Sequence, residues 1–152
     1  MGSREEMGFD IAGDGRACSP LNLQYLQANM GRVLVIDDDP TYCKLVSLSL
    51  ARAGHEVTTT DDGAIATRHV ARGTVDLILL DLTMPKMNGE VFLEVLRTDA
   101  RRRSTPVIIV SAAIGSERFK RAEALGIQGA VDKTTLKYPE LVRLVDTFLV
   151  GK

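Results

Sequence analysis

Uninterrupted apolar runs, Val-Leu-Val-Ile at 33–36, Leu-Ile-Leu-Leu at 77–80 and Val-Ile-Ile-Val at 107–110, limit the architectures open to this chain more than any other feature. A strand with one face in water alternates apolar and polar residues. These runs do not, so each calls for helices packed on both of its faces. The full strand pattern reads 33–36, 56–60, 75–80, 107–110 and a weaker 129–132. Amphipathic stretches follow at 40–53, 62–71, 88–96 and 116–125. A last helix, opened by Pro139, carries Leu141, Leu144, Val145, Phe148 and Leu149 at three- and four-residue steps. This strand-helix alternation predicts an α/β fold, a doubly wound five-stranded parallel sheet with helices on both faces.

Residues 1–31 lack the pattern and read as a leader or linker. Within them, Ser19-Pro20 ahead of Leu21, Leu23, Tyr25, Leu26 and Met30 suits a short helix. The working domain is placed at 32–152. Nineteen Lys and Arg against twenty Asp and Glu leave a net charge of −1, which gives no field to attract nucleic acid. No apolar run approaches the roughly 20 residues that cross a bilayer, and no secretory core opens the chain, so a cytoplasmic protein without a membrane partner is expected. Cys18 and Cys43 lack zinc-ligand spacing, and Cys43 reads as a small buried hydrophobe. His55 and His69 stand away from the strand ends and are expected on exposed helix flanks, while Arg101-Arg102-Arg103 reads as solvated surface.

In such sheets chemistry collects beyond the carboxyl ends of the strands, where strand order reverses. The first strand runs into Asp37-Asp38-Asp39-Pro40, the third into Asp81, the fourth into Ser111 and the fifth into Lys133. Asp39 before Pro40 suits a helix cap. With the first and third strands adjacent, Asp37, Asp38 and Asp81 converge, and three carboxylates repel unless a cation bridges them. Mg²⁺ fits, because it favours carboxylate and carbonyl oxygens and commonly shares its shell with phosphate. A hydroxyl and an ammonium beside it would bind phosphoryl oxygens.

These residues resemble the receiver domain of two-component response regulators over 32–152. The resemblance rests on Val-Leu-Val-Ile-Asp-Asp-Asp-Pro at 33–40, Leu-Asp-Leu-Thr-Met-Pro-Lys-Met-Asn-Gly at 80–89, Val-Ser-Ala at 110–112 and Lys133. It implies the flavodoxin-like strand order 2-1-3-4-5. It also implies that Asp81 accepts a phosphoryl group from a histidine kinase or histidine phosphotransfer protein, with Mg²⁺, or Mn²⁺ in its stead. By the same resemblance Asp38 and Asp81 ligate the metal directly, the Thr83 backbone carbonyl adds a ligand, and Asp37 orients metal-bound water. Ser111 becomes the switch hydroxyl and Lys133 the phosphate-binding ammonium. Phosphorylation and dephosphorylation would be self-catalysed, and the product would act on a downstream protein or pass the group on, either as a free regulator or as part of a longer chain.

Departures from the family pattern limit this reading. Thr134 stands where a proline, often cis, usually follows the lysine, and a cis bond to threonine would cost about 3 kcal/mol. Ala130 replaces the usual aromatic, so coupling to output is expected through the loop before Ser116 and the helix carrying Phe119. Asn88 replaces a frequent Asp, a mild change because Asn caps helices well. A rival reading takes Asp37-x-Asp39-x-Thr41 as the opening of a haloacid-dehalogenase-like phosphatase, with Asp37 the nucleophile and Asp39 the general acid. That reading leaves the motif at 81–89 without a role, and only Glu140 and Asp146 follow Lys133 to supply further acids. A pseudo-receiver that binds partners without phosphorylation is the third option.

Overall fold

The computed structural model describes residues 30–85 and 88–149. The short helix expected within 1–31, and Cys18 with it, lie outside them. The strands are β1 (Arg32–Ile36), β2 (Glu56–Thr60), β3 (Leu77–Leu80), β4 (Val107–Ser111) and β5 (Gly129–Asp132). The helices are α1 (Pro40–Arg52), α2 (Gly63–Ala71), α3 (Gly89–Thr98), α4 (Glu117–Leu125) and α5 (Tyr138–Leu149), with a 3₁₀ turn at Lys133–Thr135. All strand pairs are parallel, and the sheet order is β2-β1-β3-β4-β5, as expected.

Both sheet faces are covered, which explains the uninterrupted apolar runs. Val33 and Val35 of β1, Leu77 and Leu79 of β3, and Ile108 and Val110 of β4 pack with Val46 and Leu50 of α1 and Leu141, Val145 and Leu149 of α5. Leu34, Ile36, Ile78, Leu80, Val107 and Ile109 point the other way, against Ala66 and Val70 of α2, Phe92, Leu93 and Leu96 of α3, and Phe119 and Ala122 of α4. Period-two geometry therefore gives each strand two dry faces. Edge strand β2, with the sequence Glu-Val-Thr-Thr-Thr, buries none of its residues fully and is polar accordingly.

Polar side chains fix the helix starts. Asp39, Asp62, Asn88 and Ser116 each accept a hydrogen bond from backbone N–H groups in the first turn that follows. The expected helices at 62–71, 88–96 and 116–125 had counted these caps as helical. The third strand begins at Leu77 instead of 75, because Asp76 turns its carboxylate onto the Arg32 N–H (2.8 Å) and guanidinium at the sheet edge.

Some expectations are overturned. His55 is buried, not exposed: its Nδ1 accepts from the Gly31 N–H (3.0 Å) and its Nε2–H donates to Asp146 Oδ1 (2.6 Å). The ring thus ties the entry to β1 to α5, at the end of the sheet remote from the acids. Within the arginine run, Arg102 is not merely solvated, since it donates to the Val70 and Ala71 carbonyls at the end of α2. Cys43 is half-buried, and burial pushes its thiol up to about 11.

Arg97 on α3 had no assigned role, yet it organises the loops before β4 and β5. It donates to the carbonyls of Arg103 (2.9 Å), Thr105 (2.8 Å) and Gly126 (2.8 Å). Replacing it with Met would strand these acceptors while keeping the aliphatic packing. Arg97→Met is expected to lower unfolding free energy by about 2 kcal/mol, read as a lower urea midpoint at unchanged slope.

Candidate functional site

Strand order reverses between β1 and β3, and the acids stand at the carboxyl ends of these two strands. Asp37 follows β1, Asp81 follows β3, and the Asp81 N–H donates to the Ile36 carbonyl at 3.0 Å, which sets the two ends level. Asp37, Asp38 and Asp81 can each offer a carboxylate oxygen within 4.8 Å of the others. Asp37 and Asp81 are buried while Asp38 faces solvent, so the cluster opens at one side.

Local structure aims these groups. The Asp39 N–H donates to Asp37 Oδ1 (2.9 Å), while Asp39 itself caps α1 by accepting from Thr41 and Tyr42. Gly89 allows α3 to start against the strand end, because a Cβ there would lie 3.2 Å from the Asp81 carbonyl oxygen and 3.2 Å from Leu82. Asn88 caps that helix through Glu90 and Val91, as its good capping chemistry predicts.

Lys133 enters from the far edge. The peptide bond to Thr134 is trans, and Asp132 Oδ1 accepts from both the Thr134 N–H (2.9 Å) and its hydroxyl (2.7 Å), starting the 3₁₀ turn. The Lys133 ammonium lies 2.7 Å from Asp37 Oδ2, 3.9 Å from Asp81 Oδ2 and 4.0 Å from Asp39 Oδ2. Its methylene stem brings Nζ to 4.5 Å from the centroid of the Tyr42 ring.

The charges are tuned by this packing. Burial pushes the Asp37 carboxyl up, and the Asp81 charge adds to that, against the opposing hydrogen bonds from Lys133 and the Asp39 N–H. Burial works against the Lys133 charge, but the hydrogen bond to Asp37 and the charges of Asp37, Asp81 and Asp39 outweigh it and hold the ammonium above its usual range. Burial raises the Tyr42 phenol as well, with the Asp37 charge reinforcing it.

Of the residues expected at the site, Asp37, Asp38 and Asp81 come within 4.8 Å of one another, and Lys133 reaches Asp37 and Asp81. Ser111 ends β4 and is fully buried, its Oγ accepting from the Ala113 N–H (3.1 Å), which leaves its proton to donate. Thr83 lies beside Asp81. Beyond the carbonyl considered from sequence, its N–H donates to Asp81 Oδ1 (3.1 Å) and its hydroxyl lies 3.0 Å from the same oxygen. The Asp-x-Thr spacing, a turn in which a carboxylate accepts from the residue two positions on, was the available sign of this contact. Tyr42 was missed altogether. Ala130 is exposed on β5, with no ring to report on Ser111.

The phosphatase arrangement lacks its parts. Asp39 is engaged in capping α1, and Asp146 binds His55 at the remote end of the sheet. The acid cluster offers only hard oxygen donors at a spacing one small dication can span, which fits Mg²⁺ and gives nothing to a thiophilic metal. Among the described residues no helix is long and apolar enough to cross a membrane.

The sequence pattern of the response regulator receiver domain matches residues 33–146. Protein PilH of Pseudomonas aeruginosa is 33% identical over 82 residues, which is 54% of this chain and 68% of that protein. The DNA-binding dual master transcriptional regulator RpaA of Synechocystis is 40% identical over 83 residues, 55% of this chain. The match spans only 34% of the length of RpaA, about a third. Among solved structures, the chemotaxis response regulator CheY4 of Vibrio cholerae superposes with a TM-score of 0.71 at 28% identity, covering 79% of this chain and 99% of that one.

Proposed function

This chain belongs to the response regulator receiver domain family, and we propose that within it Asp81 is the residue that accepts the phosphoryl group. The observation that carries the reading is the meeting of three carboxylates and one ammonium at the switch point of the sheet. Receiver domains work with histidine kinases or phosphotransfer proteins, so a phosphohistidine is the natural donor. The resulting phosphoprotein would signal by binding a downstream protein or by handing the group to another histidine. A cytoplasmic location accords with such partners.

Asp37, Asp38, Asp81 and the Thr83 carbonyl would hold Mg²⁺, with Asp38 and Asp81 in direct contact and Asp37 acting through bound water. Bound there, the ion would neutralise charge on the transferred phosphoryl oxygens. An Asp81 carboxylate oxygen forms the new O–P bond as the P–N bond to the donor imidazole breaks, its electron pair returning to the ring nitrogen. Lys133, already 3.9 Å from Asp81, moves its ammonium onto a phosphoryl oxygen. The Ser111 hydroxyl donates to another, drawing the loop before Ser116 with it. Asp81 itself is buried while the cluster opens to solvent on the Asp38 side, where the donor and, later, a hydrolytic water would enter.

Uptake of one phosphoryl group from acetyl phosphate, read by intact mass with Mg²⁺ and with chelator, tests the reading. Uptake without Mg²⁺, or none with it, refutes the scheme. Asp38→Ala is expected to weaken Mg²⁺ binding by at least about 10- to 100-fold in a calorimetric titration, since losing even an outer-shell partner of a metal ligand costs that much. Unchanged affinity would remove Asp38 from the metal site.

A further inference from the structure

We propose that the ring of Tyr42 is the platform that positions the Lys133 ammonium for the phosphoryl group, an inference that rests on Asp81 being the acceptor. Lys133 is the first residue past β5 and must reach inward from a capped turn at the rim of the sheet. Asp37, Asp81 and Asp39 stand around its ammonium at 2.7, 3.9 and 4.0 Å. The Tyr42 ring lies against it as well, with Nζ 4.5 Å from the centroid, well within the range of a cation–π contact.

Tyr42 is held rigidly in this place. It sits in the first turn of α1, its N–H donates to the Asp39 cap at 3.2 Å, and it is only 4% exposed. Its hydroxyl is buried and has no hydrogen-bond partner among the described residues. A leucine or methionine would fill the same space without stranding a hydroxyl. The part of the side chain that does something at this position is therefore the π face, and what lies against it is the ammonium.

The ring supplies something the carboxylates do not. At rest the ammonium is drawn chiefly to Asp37. Once a dication draws on the charge of Asp37 and a phosphoryl group builds on Asp81, the carboxylate attractions change in strength and direction. The attraction of the ring depends on no protonation or metal equilibrium, so it persists as the ammonium shifts toward the phosphoryl group. It keeps the ammonium inside the cluster while its anionic partner changes.

The test compares Tyr42→Phe, which keeps the ring, with Tyr42→Met, which keeps the bulk and loses it, each in wild-type and Lys133→Ala backgrounds. Affinity for beryllofluoride in saturating Mg²⁺ is measured by fluorine NMR, and Mg²⁺ affinity alone by calorimetry. Tyr42→Phe is expected to match wild type, and Tyr42→Met to bind beryllofluoride about 3- to 30-fold more weakly, the range of a partly desolvated cation–π contact. Mg²⁺ affinity should be equal in all three, which also shows that the variants are folded. In the Lys133→Ala background the difference between Phe and Met should vanish, as a purely structural role would not require. Equal beryllofluoride affinity of the Phe and Met variants, or a loss that persists without Lys133, overturns the platform. Failure of the wild-type protein itself to bind beryllofluoride overturns the acceptor reading, and the platform falls with it.

Discussion

Asp81→Asn is expected to abolish the mass gain expected of the wild-type protein with acetyl phosphate and Mg²⁺. The replacement is nearly isosteric. The Thr83 N–H, 3.1 Å from Asp81 Oδ1, can still donate to an amide oxygen, and the backbone bond to Ile36 is untouched. What disappears is the carboxylate proposed as the nucleophile. No neighbour is suited to take over: Asp37 is hydrogen-bonded to Lys133 and to the Asp39 N–H, and Asp38 stands on the open side of the cluster. Because the substitution also removes one of three mutually repelling charges within 4.8 Å, the metal-free variant should be no less stable than wild type. Intact mass and a urea melt on the same sample separate the two effects. Full phosphorylation of Asp81→Asn at Asp37 would revive the phosphatase chemistry, and a large fall in stability would show that the carboxylate has a structural role as well.

What could be read from sequence is what local pattern encodes. The runs at 33–36, 77–80 and 107–110 have no solvent-facing alternation, which by itself requires two covered faces and hence the parallel sheet. Parallel strands put every carboxyl end on one edge, so Asp37, Asp81, Ser111 and Lys133 could be placed together before any coordinate was known. The side-chain contacts between distant parts of the chain belong to a different class. His55 meets Asp146 across 91 residues, Lys133 meets Asp37 across 96, and Arg97 meets Gly126 across 29. No periodicity records such pairs. A histidine between a helix and a strand is usually exposed, and His55 is buried because Gly31 and Asp146 satisfy both of its ring nitrogens. Tyr42 escaped notice for a similar reason: its helical spacing with Val46 marks it as core, and core it is, but the ammonium against its ring arrives from the opposite end of the chain.

The surroundings of Asp81 also show how occupancy could be passed outward without an aromatic at position 130. Glu90, in the first turn of α3, accepts from Arg118 at 2.7 Å and Arg121 at 2.8 Å, both on α4. The hydrogen bond from Arg118, with that from Arg121, holds its carboxyl below the usual range. This ties the helix that follows Asp81 to the helix that follows Ser111. A carboxyl lowered in the folded state adds stability above its unfolded pKa and loses it as pH falls through the folded value, so the tie loosens only in acid. Amide shifts on beryllofluoride binding are expected to include 111–125. Silence there would show that this surface does not respond.

Lys133→Met is expected to destabilise the metal-free protein by about 3 kcal/mol at neutral pH, the lower end of what breaking a buried ion pair costs, since the lysine keeps some contact with solvent. The cost is that of an orphaned charge. The Asp37 side chain is 1% exposed and, among the described residues, the ammonium is its one cationic neighbour at hydrogen-bond distance. Burial already pushes its carboxyl up, and removing the lysine, which opposes that rise, pushes it further. A carboxyl raised in the folded state contributes stability that is fully present below its unfolded pKa and lost as pH rises through the folded one. The penalty of Lys133→Met should therefore be small below about pH 4, near the ordinary aspartate value, and grow toward neutrality. Two rescues follow from the same charge balance. Asp37→Asn in the Lys133→Met background removes the orphaned charge and should restore most of the lost stability, a non-additive result typical of groups in direct contact. Mg²⁺ bound at the proposed site would supply the missing positive charge, so it should raise the urea midpoint of Lys133→Met more than that of wild type. Urea melts at acid and neutral pH, with and without Mg²⁺, distinguish this from loss of packing. A penalty equal at both pH values and indifferent to Asp37→Asn would mean that side-chain packing, and not the charge, is what Lys133 contributes to the fold.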